Sequence, residues 1–116
     1  AHEWFGRVWL NPPYGRTEIP LFTKKLVYHY LRGDISAAIL LTHNSTDTRW
    51  FQLAAPVATL ICFTRSRVLF EDKYGDVSNP AEGQAFFYFG PDLDEFAKVF
   101  GKFGFIVRPV APEPAA

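Results

Sequence analysis

Apolar positions in this chain form short continuous runs separated by stretches with helical spacing, and that alternation predicts an α/β domain. The first run, Phe5 to Leu10, is too short for a helix and stops at Asn11 and two consecutive prolines, so it reads as a strand. Pro12 and Pro13 have no N–H to give a ladder, which ends the strand at Asn11 and stiffens the backbone beyond it. Ile19, Phe22, Leu26 and Tyr30 then recur at helical spacing, with Pro20 tolerable in a first turn and Gly33 a stop signal. A second continuous run, Ser36 to Thr42, is of the kind found where both faces of a sheet are covered.

His43 to Asp47 follows as a polar loop, in which Ser45, Thr46 or Asp47 is placed to cap a short helix through Trp50, Phe51 and Leu53 that Pro56 closes. The order strand, helix, strand, helix argues for parallel strands joined by crossovers. Val57 to Thr64 is a third apolar run, and Arg67 to Phe70 a short strand-like piece. A charged loop rich in glycine, asparagine and proline spans Glu71 to Gly83, and an aromatic strand spans Ala85 to Phe89. Asp92 with Glu95 has the spacing of a capping box, ahead of a helical face formed by Leu93, Phe96, Ala97 and Phe100. Gly101 or Gly104 ends that helix, and Phe105 to Val110 is a last edge strand halted by Pro109 and Pro112. The expected organisation is one domain over residues 1–110 and a disordered tail at 111–116, with a sheet that starts parallel and gains antiparallel strands toward its C-terminal end.

Composition narrows this picture. Apolar residues make up 48% of the 116 and aromatics 17%, enough to build a core and to exclude general disorder. One cysteine, Cys62, excludes an internal disulfide framework and a multi-cysteine zinc site. With no signal-peptide pattern and no apolar stretch of spanning length, the expectation is a soluble intracellular protein without membrane contact. The formal net charge is zero, but it is unevenly spread: residues 1–70 carry eight Lys or Arg against four Asp or Glu, and residues 71–116 carry four against eight. A polyanion would meet the first part of the chain more readily than the last; ordinary surface charge accounts equally well for the asymmetry.

Candidate chemistry gathers where the first two strands end. In an open parallel sheet ligands collect at the carboxyl ends of the strands, so the loop from Asn11 and the loop from Thr42 to Asp47 are expected to share one rim. Cys62 lies inside an apolar run, Leu60-Ile61-Cys62-Phe63, and reads as a small buried hydrophobe and not as a nucleophile. His29 and His43 do not make a metal-binding spacing, and no metal is expected. His29 reads as structural or superficial, and His43 as a residue that either lines the pocket or simply ends a strand. Asp47 reads as a helix cap more than as a catalytic acid, and Lys24 and Lys25 as a helix's wet face.

Asn11-Pro12-Pro13-Tyr14 after an apolar strand resembles the catalytic signature of amino-group methyltransferases that use S-adenosylmethionine. The flanking order of Trp4, Gly6, Val8 and Gly15, then Leu40-Leu41-Thr42, Thr46-Asp47-Thr48, Trp50-Phe51, and finally Arg65, Arg67, Val68 and Phe70, is similar to phage-type, Dam-like DNA N6-adenine methyltransferases over residues 4–90. The resemblance implies a Rossmann-like methyltransferase fold with a mixed sheet. It also implies a flipped adenine of double-stranded DNA as substrate, S-adenosylmethionine as cofactor, and a cytoplasmic setting in a bacterial host or from a prophage. Asn11, Pro12, Pro13 and Tyr14 would then be catalytic, with Arg65, Arg67 and Phe70 contacting substrate. Similar motifs occur in methyltransferases acting on protein glutamine or on RNA guanine, so these stay open as alternatives, as does an inactive nucleic-acid-binding remnant. The cofactor-binding part of such an enzyme is expected upstream of Asn11, so the chain is expected to hold a partial domain that is inactive alone. An incomplete sheet leaves an open edge, and with it the expectation of a homodimer through that edge.

Overall fold

The computed structural model describes residues 6–10, 18–65, 70–71, 77–78 and 83–110. The elements in chain order are β1 (Gly6–Leu10), α1 (Glu18–Arg32), β2 (Ile35–His43), α2 (Arg49–Ala54), β3 (Leu60–Thr64), β4 (Phe70–Glu71), β5 (Val77–Ser78), β6 (Gln84–Phe89), α3 (Leu93–Phe100) and β7 (Gly104–Val107); all but β5, which falls in the stretch expected as a loop, answer to an expected strand or helix, β4 by Phe70 alone. Five of the strands make one mixed sheet in the order β1-β2-β6-β3-β7, while β4 and β5 pair with each other as a separate ribbon. The chain is therefore α/β with a mixed five-stranded sheet. β1 and β2 run parallel, and β6 is antiparallel to both β2 and β3.

Chain order alone would place β3 beside β2. Instead β6 lies between them, because its six residues, Gln-Ala-Phe-Phe-Tyr-Phe, are all buried and need cover on both faces. Ala85, Phe87 and Phe89 turn to the layer that includes Leu26 of α1 and Phe51 of α2, joined by Leu40 and Ile61 from the neighbouring strands. Phe86 and Tyr88 turn to the other layer, where Phe96 of α3 meets Leu41, Leu60 and Cys62. Tyr88 stacks on Phe96 at 4.9 Å, and Phe96 on Phe100 at 4.5 Å, so α3 is held to the sheet by a file of rings.

Local signals account for the element ends, with three corrections. α1 stops where expected: Gly33 adopts φ +84°, the left-handed region that a side chain resists, and the Asp34 N–H turns back to the His29 carbonyl at 2.9 Å. His29 is buried, and its Nδ1 lies 2.9 Å from the Asp34 carboxylate, which also pairs with Arg32 at 3.2 Å; its role is structural. The cap of α2 is Thr48, one residue past the expected Ser45 to Asp47; its Oγ1 accepts the Phe51 N–H at 3.3 Å. Asp92 does stand at the start of α3 but makes no side-chain cap bond. Its ψ of 67° takes it out of the extended region that aims a capping carboxylate, and its own N–H donates to the Tyr88 hydroxyl at 2.8 Å. The strand expected from Val57 begins only at Leu60, because Val57 and Ala58 extend the end of α2 with N–H bonds to the Ala54 carbonyl.

β7 is the far edge strand, as its prolines implied. Gly104 is required there by close approach, since a Cβ at that position would strike the Phe63 carbonyl of β3. The expected tail at 111–116 and most of the loop from Glu71 to Gly83 lie outside the described residues. No described helix is long and apolar enough to cross a membrane.

Candidate functional site

β1, β2 and β3 all point the same way, so their carboxyl ends meet at one rim of the sheet, together with the start of β6. Leu10, the last residue of β1, sits opposite Leu40, and β2 continues for three more residues past that level. The carboxyl ends of β1 and β2 thus stand on the same side of the sheet, Leu10 one level short of Leu41. Asn11, Pro12, Pro13 and Tyr14 themselves lie outside the described residues.

At this rim the strands change character. Three of them are apolar through the middle and polar at the end that reaches the rim: Thr42 and His43 on β2, Gln84 on β6, Thr64 followed by Arg65 on β3. His43 pairs with Gln84 across the sheet. Thr42 is 0% exposed and Gln84 1%, so polar groups are set into the end of an otherwise apolar core. Burying a hydroxyl is costly unless it is bonded, and for Thr42 the bond is present. The Thr42 hydroxyl donates to the His43 carbonyl at 2.8 Å, the Thr64 hydroxyl donates to the Gln84 carbonyl at 3.2 Å, and the Asn44 N–H donates to the Gly83 carbonyl at 3.0 Å. Together they form a polar floor at the carboxyl ends of β2 and β3. Thr42, Gln84 and Thr64 were not singled out from the sequence; the available signal was a polar residue at the same end of each apolar run.

The remaining expected site residues are more scattered. Arg65 stands exposed at the end of β3; its N–H bonds the Phe103 carbonyl at 2.9 Å and its guanidinium donates to the Lys102 carbonyl. β2 and β6 lie between β3 and β1, which puts the end of β3 about 14 Å from the end of β1 at ordinary strand spacing. Arg65 is tied by its two bonds to the β3–β7 edge. Arg67 lies outside the described residues, and Phe70 begins β4, in the separate ribbon.

Cys62 is fully buried in β3, and its Sγ donates to the Phe100 carbonyl at 3.4 Å. Burial pushes the thiol up, and nearby Arg65 offsets this only in part. A neutral, enclosed thiol is a poor nucleophile, in line with its reading as a core residue. Because the folded chain keeps the thiol neutral to a higher pH than the unfolded chain does, Cys62 leaves stability unchanged below the ordinary thiol range and subtracts from it above. Denaturant midpoints measured from neutral to alkaline pH should fall more for the wild type than for Cys62→Ala; equal losses would contradict the buried neutral thiol.

One cavity of about 410 Å³ lies on the sheet face under α3 and not at the rim; Arg7, Trp9, Ile39, Tyr88, Asp92 and Glu95 are among its walls. Among the described residues, no three His, Cys, Asp or Glu side chains gather as a metal site would require. No protein-family model, curated protein or solved structure matches the chain.

Proposed function

We propose that this chain is the catalytic portion of a DNA adenine-N6 methyltransferase, with S-adenosylmethionine as methyl donor, duplex DNA carrying a flipped adenine as substrate and a bacterial or prophage setting. The observation that carries the reading is positional. Asn11-Pro12-Pro13-Tyr14 directly follows the last residue of a strand paired in parallel with β2, so the motif starts at the carboxyl rim where an α/β sheet binds ligands. The described residues at that rim do not compose a pocket for S-adenosylmethionine; they offer the hydroxyls of Thr42 and Thr64, both bonded to main-chain carbonyls, beside His43 and Gln84, and the cavity under α3 is elsewhere. The chemistry derived below accordingly concerns the target amine alone.

An adenine amino group is a weak nucleophile because its lone pair is delocalised into the ring. The Asn11 side-chain oxygen and the Pro12 carbonyl each accept one N6–H, which pulls the lone pair back onto nitrogen and fixes its direction. Tyr14 stacks on the base, a contact worth about 1–3 kcal/mol, and this helps repay the cost of taking adenine out of the duplex. The two prolines hold both acceptors in place with little further loss of freedom on binding. No covalent enzyme intermediate is needed, which accords with the enclosed state of Cys62.

The test is a photocrosslink from a duplex containing a single photoreactive adenine. The label should map to the peptide bearing Tyr14. A label confined to α3, or to the acidic segment between Glu71 and Gly83, would contradict the assignment.

A further inference from the structure

The charges of α3 are sorted to its two ends. Asp92, Asp94 and Glu95 stand at its start, Lys98 in its last turn and Lys102 just past it, and all five are exposed. β6 runs away from the carboxyl rim of the sheet, so α3 begins at the far end and returns: the turn after it leads to Gly104, which pairs with Thr64 at the end of β3. The acids thus lie away from the rim and the bases on it. Arg65 joins them, because its guanidinium donates to the Lys102 carbonyl and its N–H to the Phe103 carbonyl.

Among the described residues, none of the three cations has a carboxylate partner. Asp94 and Glu95 precede Lys98 by four and three residues, the spacings at which a helix allows an ion pair, and no pair forms. Lys102 lies over the Phe103 ring at 5.4 Å, which holds the ammonium without cancelling its charge. A helix end ordinarily presents bare carbonyls that repel an anion. Here they are engaged. The Ala97 carbonyl accepts the Gly101 N–H at 2.9 Å, the Phe100 carbonyl accepts the Phe103 N–H at 2.9 Å and the Cys62 thiol at 3.4 Å, and Arg65 occupies the next two. A guanidinium anchored by one of its N–H groups keeps others for an incoming oxyanion at little cost in freedom.

We propose that Arg65, Lys98 and Lys102 bind the phosphate backbone of duplex DNA, about four base pairs from the flipped adenine. The offset is the separation of about 14 Å between the ends of β3 and β1, divided by a rise of about 3.4 Å per base pair. It rests on the reading that the Asn11 loop holds that adenine. Contacts of this kind fix where a duplex lies on the protein and carry no sequence information, so the patch positions the substrate and takes no part in methyl transfer.

Fluorescence anisotropy of a labelled duplex, titrated with the chain at several salt concentrations, tests the patch without requiring turnover. Arg65→Gln, Lys98→Gln and Lys102→Gln should each make the slope of log affinity against log salt shallower by about 0.9, and weaken binding by a similar factor for every sequence. Arg108→Gln removes the same charge from the other end of β7 and should leave the slope unchanged. Neutral methylphosphonates placed about four base pairs from the adenine should erase the difference between wild type and the three variants. A wild-type chain that binds no duplex would overturn the proposal, as would slopes unchanged in all three variants or an equal change in Arg108→Gln. A difference undiminished by the methylphosphonates would overturn the placement. None of these slopes depends on Asn11, whose role is read separately from the crosslink to Tyr14.

Discussion

Replacing Asn11 with alanine should lower the rate constant for methyl transfer by about 10²–10³-fold while leaving the thermal midpoint nearly unchanged. The size follows from the proposed role: a preorganised polar group aimed at the reacting amine is worth about as much as one oxyanion-hole donor. The small effect on stability follows from place. Asn11 follows the last residue of β1 in the chain, and the substitution removes a polar amide and no apolar side chain, the kind of change that costs little stability. A fall in turnover with KM nearly constant would mark an interaction made chiefly in the transition state. Full activity in the variant would remove Asn11 from the mechanism, and an equal loss of activity and stability would make its role structural.

Phe87→Ala should have the largest effect on stability, about 3–5 kcal/mol measured by denaturant unfolding, a large share of the ~5–15 kcal/mol typical of a domain. Phe87 is fully buried at the middle of the central strand, paired with Leu40 on one side and Ile61 on the other. Its ring meets Phe51 of α2 edge-on at 4.9 Å, and deleting it opens a cavity where sheet and helix join. Because β6 joins the parallel β1–β2 pair to β3 and β7, weakening it loosens the polar floor at its rim end too. A cost below about 1 kcal/mol would show that this layer is not the main core.

Much of the fold was legible in the chain. The spacing of Ile19, Phe22, Leu26 and Tyr30 gives α1, Gly33 gives its stop, and three apolar runs give strands β1, β2 and β3. These signals are local, set by the 3.6- and 2-residue periods and by the backbone demands of glycine and proline. What the sequence did not show is which strands are neighbours. The insertion of β6 between β2 and β3 depends on how two layers of rings pack together, and its only trace in the sequence is the unusually apolar run at Ala85 to Phe89. The capping carboxylate expected at Asp92 failed for a related reason: a tertiary contact, the Tyr88 hydroxyl on the Asp92 N–H, fixes that turn in place of the local box.

The candidate site was legible in a different proportion. The motif at Asn11 to Tyr14 stands out by residue type, and its place after a parallel strand followed from the order of elements. The polar floor of Thr42, Gln84 and Thr64 did not stand out, because its members are distant in sequence and meet only through the β2–β6–β3 pairing. Arg65 was grouped with the site by resemblance, yet its guanidinium is engaged at the β3–β7 edge.

The measurement that tests the central claim most directly is transfer of labelled methyl from S-adenosylmethionine to unmethylated duplex DNA, by this chain and by a version extended upstream of Ala1, with the product nucleosides identified. The account predicts label on adenine N6 with the extended form, lost when Asn11→Ala is made in it. Label on protein glutamine or RNA guanine alone, or on no substrate with either form, would contradict it.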